Sequence, residues 1–321
     1  MEFILIISGL VILVFGGDYL VKGASGIAFR LQVPPMLVGM TVVALGTSSP
    51  EMVVTVQAAL AGKPDIAIGN VIGSNIANVA LILGITVIIF PIAIKRDSLR
   101  YDWVVMILAS VLFYAFALNG VISRLDGIIF LTLLVSFISY SFYRVRKKRL
   151  KAEANSITSE TSNDEKSKSK SYWVFILYII LGTAGLIFGA KWFLEGAETV
   201  ARDFGISDRV IAISLVAFGT SVPELAASVI AAFKKEQDIS LGNIIGSNLF
   251  NILAILGVTS LIQPIQVAQE IMDNDIFWML GTSFLILPLS IVGFKMGRWQ
   301  GFVLLASYIT FMYLLLSGPI L

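Results

Sequence analysis

Residues 41–60 read TVVALGTSSPEMVVTVQAAL, and 173 positions later residues 214–233 read SLVAFGTSVPELAASVIAAF, identical at 10 of 20 positions. The next block repeats at the same offset: DIAIGNVIGSNIAN at 65–78 and DISLGNIIGSNLFN at 238–251 agree at 9 of 14. No gap is needed between the blocks, so the chain carries an internal duplication. The identities concentrate on Gly, Thr, Ser, Pro, Glu and Asn rather than on packing residues, which points to duplicated chemistry and not merely to a duplicated scaffold.

The setting of that repeat is a membrane. Of 321 residues 57% are hydrophobic and only 14% charged, against roughly 25% charged in soluble domains. The apolar residues form continuous blocks long enough to cross the roughly 30 Å of bilayer hydrocarbon, about 20 helical residues each. Barrel strands would alternate apolar and polar instead. Ten spans are expected, at 3–21, 35–61, 66–90, 102–120, 125–143, 172–194, 208–233, 239–262, 276–293 and 299–318. The first 20 residues have no basic leader and no small-residue cleavage site, so they read as the first span rather than a signal peptide.

Residues 144–171, RVRKKRLKAEANSITSETSNDEKSKSKS, are charged, Ser-rich and nearly free of large apolar side chains. Such a stretch buries too little surface to offset its ordering entropy and is expected to be a flexible linker. It divides the chain into five-helix repeats at 1–143 and 172–321. Five is odd, so the second copy enters the membrane from the opposite side. The expected fold is an all-α membrane protein of ten transmembrane helices in two inverted repeats, the plan of secondary transporters that hold substrate at the repeat interface. With the linker in the cytoplasm, 18 of the 23 Lys and Arg fall on the cytoplasmic side, leaving Lys63, Arg124, Lys191, Arg202 and Arg209 outside. Both termini then face outward.

There is no Cys and no His, which excludes disulfides, thiolate or histidine metal centres and every Ser-His-Asp or Cys-His device. Phe15-Gly16-Gly17-Asp18 and Tyr101-Asp102 make a poor intramembrane aspartyl protease pattern, with reversed order and both acids near span ends. Asp18, its repeat mate Lys191, Lys22 and Glu195 read better as interfacial anchors. No enzymatic activity, cofactor or nucleic-acid partner is expected.

The chemistry sits in the repeated segments. Glu51 and Glu224 fall within spans 2 and 7, where a carboxylate costs several kcal/mol unless compensated. No Lys or Arg lies in the middle of any span, so a bound cation is the expected compensation. Thr47 and Ser48 lie one turn before Glu51, on its face, as Thr220 and Ser221 do before Glu224. These are hard oxygen donors only, suited to sodium or calcium. Pro50 and Pro223 should kink or break their helices, freeing carbonyl oxygens. In spans 3 and 8, Ser74 with Asn78 and Ser247 with Asn251 share a face and are expected to look inward. Gly69, Gly73, Gly242 and Gly246 are expected to permit close helix packing. Asn75 and Asn248 stand equally well as ligands or as structural residues.

The paired GTSxPE and GNxxGSNxxN segments resemble the two alpha repeats of the sodium/calcium exchangers, in the cation/calcium antiporter superfamily. The resemblance extends over the whole chain in its span plan. It implies ten helices in two inverted halves, with spans 2, 3, 7 and 8 around clustered sodium and calcium sites. The ligands it implies are Thr47, Ser48, Glu51, Ser74, Asn78, Thr220, Ser221, Glu224, Ser247 and Asn251, with the backbone carbonyls of Ala44 and Ala217. The implied function is exchange of sodium for calcium through the bilayer by a protein that works as a monomer. A proton-coupled exchanger using the same two glutamates is the alternative, and a passive channel fits less well because the ligands come from one chain. Some relatives, including potassium-dependent ones, carry Asp where this chain has Asn251. The neutral amide argues against potassium co-transport.

Overall fold

The computed structural model describes residues 2–155, 171–204, 219–291 and 293–317. It is almost entirely helical. The long helices are α1 (Glu2–Leu31), α2 (Pro35–Thr47), α3 (Ser49–Leu60), α4 (Pro64–Ile89), α5 (Ser98–Ala117), α6 (Arg124–Asn155), α7 (Tyr172–Asp203), α8 (Val222–Phe233), α9 (Gln237–Ile262), α10 (Ile271–Ile291) and α11 (Arg298–Ser317). Among the described residues, seven of these are long and apolar enough to cross a bilayer, and α2 with α3 makes an eighth if that bent pair is one span. The protein is a multi-pass membrane protein.

Several helices overrun the apolar blocks that mark them. Helix α1 continues ten residues past the expected end at 21, α7 continues to Asp203, and α6 continues through Asn155 into the basic start of the 144–171 segment. Helix propensity explains the overrun of α6, since Arg, Lys, Glu, Ala and Leu are good helix formers whether or not lipid surrounds them, whereas the end of α1, with Gly23 and Gly26, is held by packing against Phe175 and Ile179 of α7. Expected span 7 is described only from residue 219 onward; its earlier residues, with Ala217, lie outside the described residues.

Burial separates a centre from a perimeter. The apolar stretches of α4 and α9 are 78% and 89% buried, whereas those of α1, α6 and α7 are at most one third buried. The two central helices are the repeat-related pair that carries GNxxGSNxxN. Each is gripped by the other half's last helix: a Cβ on Gly84 of α4 would lie 3.2 Å from the Gly301 carbonyl of α11, and one on Gly257 of α9 would lie 3.3 Å from the Gly127 carbonyl of α6.

On the perimeter, α1 packs along its repeat mate α7. Glycines recur every seven residues on both, at 9, 16 and 23 and at 182, 189 and 196, related by the same offset of 173. Gly9 meets the backbone of Gly189 and Phe193, Gly16 that of Gly182 and Leu186, and Gly23 that of Phe175 and Ile179. Position numbers fall along one helix as they rise along the other, so the two run antiparallel. The seam is written in the chain as a heptad of small residues, but the glycines acquire a partner only when the two remote helices meet.

Among the described residues four two-residue strands pair at the helix ends, where continuous apolar blocks lead one to expect no strand. β1 (Ile92–Ala93) pairs antiparallel with β4 (Lys295–Met296), with Ile92 opposite Met296. β2 (Val121–Ile122) pairs antiparallel with β3 (Ile265–Gln266), with Ile122 opposite Ile265. Exchanging the halves by the 173-residue offset carries β1 onto β3 and β2 nearly onto β4, and so carries one ribbon onto the other.

Candidate cation site

The helix breaks where proline demands it. Pro50 has no N–H for the Gly46 carbonyl and its ring crowds that turn. The chain leaves helical geometry at Ser48 (φ −84°, ψ 7°), and α2 and α3 meet at a 48° bend. At the equivalent place Ser221 has φ −91° and ψ 1°, and α8 begins at Val222 with Pro223 in its first turn. Both breaks put a glutamate, Glu51 or Glu224, in the first turn of a helix that starts inside the protein, where unsatisfied N–H groups favour negative charge. The freeing of carbonyls is limited at Ala44: its oxygen accepts the Ser48 N–H at 2.9 Å and is approached by Thr47 Oγ1 at 3.4 Å.

Glu51 and Glu224 are each 1% exposed, and neither has an ionic partner among the described residues. They belong to one cluster. Ser48, from the first half, donates its hydroxyl to Glu224 Oε1 at 2.9 Å, and Ser221, from the second, lies beside the Glu51 carboxyl. The halves interlock further: the turn of α4 bearing Asn78 packs against α8, and the turn of α9 bearing Asn251 packs against α3.

Those two turns are π-helical, Ala77–Leu83 and Phe250–Leu256, with Asn78 and Asn251 each at the second position. A π-turn inserts one extra residue per turn and rotates the remainder of the helix about its axis, and such bulges recur at functional sites. No single residue type announces a π-turn, so this feature is not legible in the sequence.

The buried oxygens are what the site has to offer. Glu51 Oε2, Glu224 Oε2, the hydroxyls of Ser74, Thr220, Ser221 and Ser247, and the amide oxygens of Asn78 and Asn251 are all buried without a hydrogen-bond partner among the described residues. Buried polar atoms are paired in the great majority of cases, so a concentration of unpaired acceptors and hydroxyls around two carboxylates fits a hard cation as cargo. Asn75 and Asn248 divide their amides: each Nδ2 donates to the carbonyl four residues back, Val71 or Ile244, at 2.8 Å, and each Oδ1 is left unpaired. That geometry serves both of the roles left open for them.

The glycine expectation holds at Gly242 and Gly246 and not at Gly69 and Gly73, where a Cβ would meet nothing within 4 Å among the described residues. A Cβ on Gly246 would lie 2.6 Å from Met40 Cα, and one on Gly242 would collide with the Met36 carbonyl. Asp18 pairs with Lys22 at 2.6 Å and with Lys234, and Lys191 lies 3.8 Å from Glu195.

Asn70 and Asn243, part of the repeated motif but given no role by the sequence, position the glutamates. Asn70 Nδ2 donates to the Glu51 carbonyl at 3.3 Å and to Thr55 Oγ1 at 2.9 Å; Asn243 Nδ2 donates to the Glu224 carbonyl at 3.4 Å and to Ser228 Oγ at 3.0 Å. Each amide ties a glutamate-bearing helix to its neighbouring central helix. Asparagine at a helix interface ordinarily serves as amide glue, so only the fold distinguishes this use.

A family profile described as "Sodium/calcium exchanger protein" matches residues 1–143 and 174–317. The chain is 34% identical to the sodium/calcium exchanger MaX1 of Methanosarcina acetivorans, over 98% of each protein. It is 35% identical to the inner membrane protein YrbG of Escherichia coli, over 88% of this chain and 86% of that one. Among solved structures it is similar to the sodium-calcium exchanger NCX_Mj, with a TM-score of 0.82 at 32% identity over 98% of both chains; crystals of that exchanger were soaked with sodium together with calcium or strontium.

Proposed function

The chain belongs to the sodium/calcium exchanger protein family, and from that premise we propose that it is a secondary antiporter exchanging sodium ions for calcium across the membrane by alternating access. The observation that carries the proposal is the group of unpaired buried oxygens around Glu51 and Glu224, contributed by both halves. Ala44, Thr47, Ser48, Glu51, Ser74, Asn78 and their repeat mates Ala217, Thr220, Ser221, Glu224, Ser247 and Asn251 form the ligand set. One chain supplies all of them, so a monomer suffices.

The fold in this reading has ten transmembrane helices in two inverted five-helix repeats, 1–143 and 172–321, joined by the cytoplasmic linker 144–171. The antiparallel course of α1 and α7 and the reciprocal end ribbons support inversion. A cysteine introduced at Ser159 is then labelled by an impermeant thiol reagent only from inside, and one at Lys63 only from outside. The chain has no native Cys to confuse the assay. Labelling of both from one side would overturn the orientation.

The coupling ion is tested in proteoliposomes. An outward sodium gradient should drive calcium uptake at matched pH, and a proton gradient without sodium should not. The buried carboxyls lack a cationic partner among the described residues and are able to hold protons, which gives the proton-coupled alternative its footing. Uptake driven by the proton gradient alone would establish that alternative.

A further inference from the structure

The two halves match residue for residue around the site, yet their hydrogen bonds across the interface do not. Thr47 Oγ1 donates to Asn243 Oδ1 at 3.2 Å and Ser48 Oγ donates to Glu224 Oε1 at 2.9 Å. The mirror pairs would be Thr220 with Asn70 and Ser221 with Glu51. The first is not made: the Thr220 hydroxyl is buried without a partner among the described residues, whereas Ser221 lies against the Glu51 carboxyl much as Ser48 lies against Glu224. Within each half, by contrast, the bonds are equivalent, Asn70 to the Glu51 carbonyl and Thr55, Asn243 to the Glu224 carbonyl and Ser228. The asymmetry is that of the Thr–Asn bond crossing between the halves.

Depth gives the asymmetry a direction. Asn243 lies six residues into α9 from Gln237, about 9 Å at 1.5 Å per residue, and Asn70 lies six residues into α4 from Pro64. The formed bond therefore sits toward the face where α9 begins, and the unformed one toward the face where α4 begins. The α9 face also carries a clamp: Lys95 pairs with Asp238, and Gln237 accepts the Ala93 N–H and donates to the Pro91 carbonyl, each at 3.3 Å. The repeat mates of Lys95 and Gln237 are Ala268 and Pro64, which have no side chain to make the same contacts on the other face.

We infer that Thr47–Asn243 and Thr220–Asn70 are alternating latches, one closed in each of the two access states, with Asn243 and Asn70 as positioning residues that convert closure of one face into placement of the adjoining glutamate. The inference rests on the antiport reading. In the state seen here the α9 face is latched. The opposite state closes Thr220 onto Asn70 and frees Asn243. A ligand's apparent affinity at a face scales with the fraction of protein open to that face, so removing a latch shifts the two faces in opposite senses.

The test uses the full-length protein in proteoliposomes of defined orientation, with the calcium KM measured at each face. Thr47→Val keeps side-chain shape but removes the donor, and is expected to lower the KM at the α9 face relative to the α4 face by roughly fivefold, the worth of one buried hydrogen bond. Thr220→Val is expected to shift the same ratio the other way. Loss of a ligand or of overall stability moves both faces together and leaves the ratio unchanged. Asn243→Ala and Asn70→Ala provide a second pair with the same opposed signs, should either valine variant fail to fold. Ratios that stay constant, or that move in the same sense for both members of a pair, overturn the latch while leaving antiport intact. Absence of exchange in the unmodified protein would instead remove the reading on which it rests.

Discussion

Glu51→Gln or Glu224→Gln abolishes calcium exchange, with a loss of at least about a hundredfold, while the protein still purifies as a single monodisperse species. Two carboxylates balance one calcium ion or about two sodium ions, and dipoles and carbonyls must carry any further charge. Coulomb attraction scales with ion charge, so removing one carboxylate weakens calcium more than sodium. A hundredfold change needs only about 3 kcal/mol at 1.4 kcal/mol per decade. The fold survives because neither carboxylate has an ionic partner among the described residues, so neutralising it strands no opposite charge. Glutamine also keeps an oxygen to accept the Ser48 hydroxyl at position 224. The check is calcium binding and sodium-driven flux on each purified variant; normal flux in either would sink the site assignment. Thr47→Ala, by comparison, should only weaken transport, since a neutral hydroxyl is one ligand among several. An equally inactive Thr47→Ala would show that geometry limits the site more than charge does.

The largest effect on stability is expected on the perimeter. A Cβ on Gly16 would lie 2.7 Å from Leu186 N and 2.9 Å from the Gly185 carbonyl carbon, and one on Gly189 would lie 2.8 Å from Leu13 N and 3.0 Å from the Gly9 carbonyl oxygen. These atoms are backbone and cannot rotate aside. Gly16→Leu or Gly189→Leu must therefore push α1 and α7 apart, and overpacking of that kind costs about 3 kcal/mol. The melting temperature in detergent should fall by several degrees or more. Gly281→Ala is the control: a Cβ there meets nothing within 4 Å, and alanine is the better helix former, so its stability should be unchanged or higher. Equal melting temperatures for Gly16→Leu and the unmodified protein would mean that the seam is looser than its geometry implies.

Much of this protein is local in origin and is therefore readable from the chain. Runs of apolar residues define helices wherever lipid excludes water, because every backbone N–H must then be satisfied within its own segment. Proline at 50 and 223 breaks a helix by its own ring, whatever surrounds it, and the two glutamates could not be buried without a reason. The 173-residue repeat locates all four site segments with no knowledge of the fold. The edges of helices are less legible, because α6 continues on helix propensity after the apolar signal stops and α1 continues where Gly23 and Gly26 pack against α7.

What tertiary structure alone decided is how the two copies meet. Sequence treats Thr47 and Thr220, or Asn70 and Asn243, as equivalent, because the duplication made them so. The fold brings Thr47 onto Asn243 and leaves the Thr220 hydroxyl without a partner among the described residues. The π-turns at Asn78 and Asn251, the interleaving of α4 with α11 and of α9 with α6, and the antiparallel glycine seam have the same origin. Each is set by the distance of closest approach between segments remote in the chain, a quantity that no local run of residues encodes.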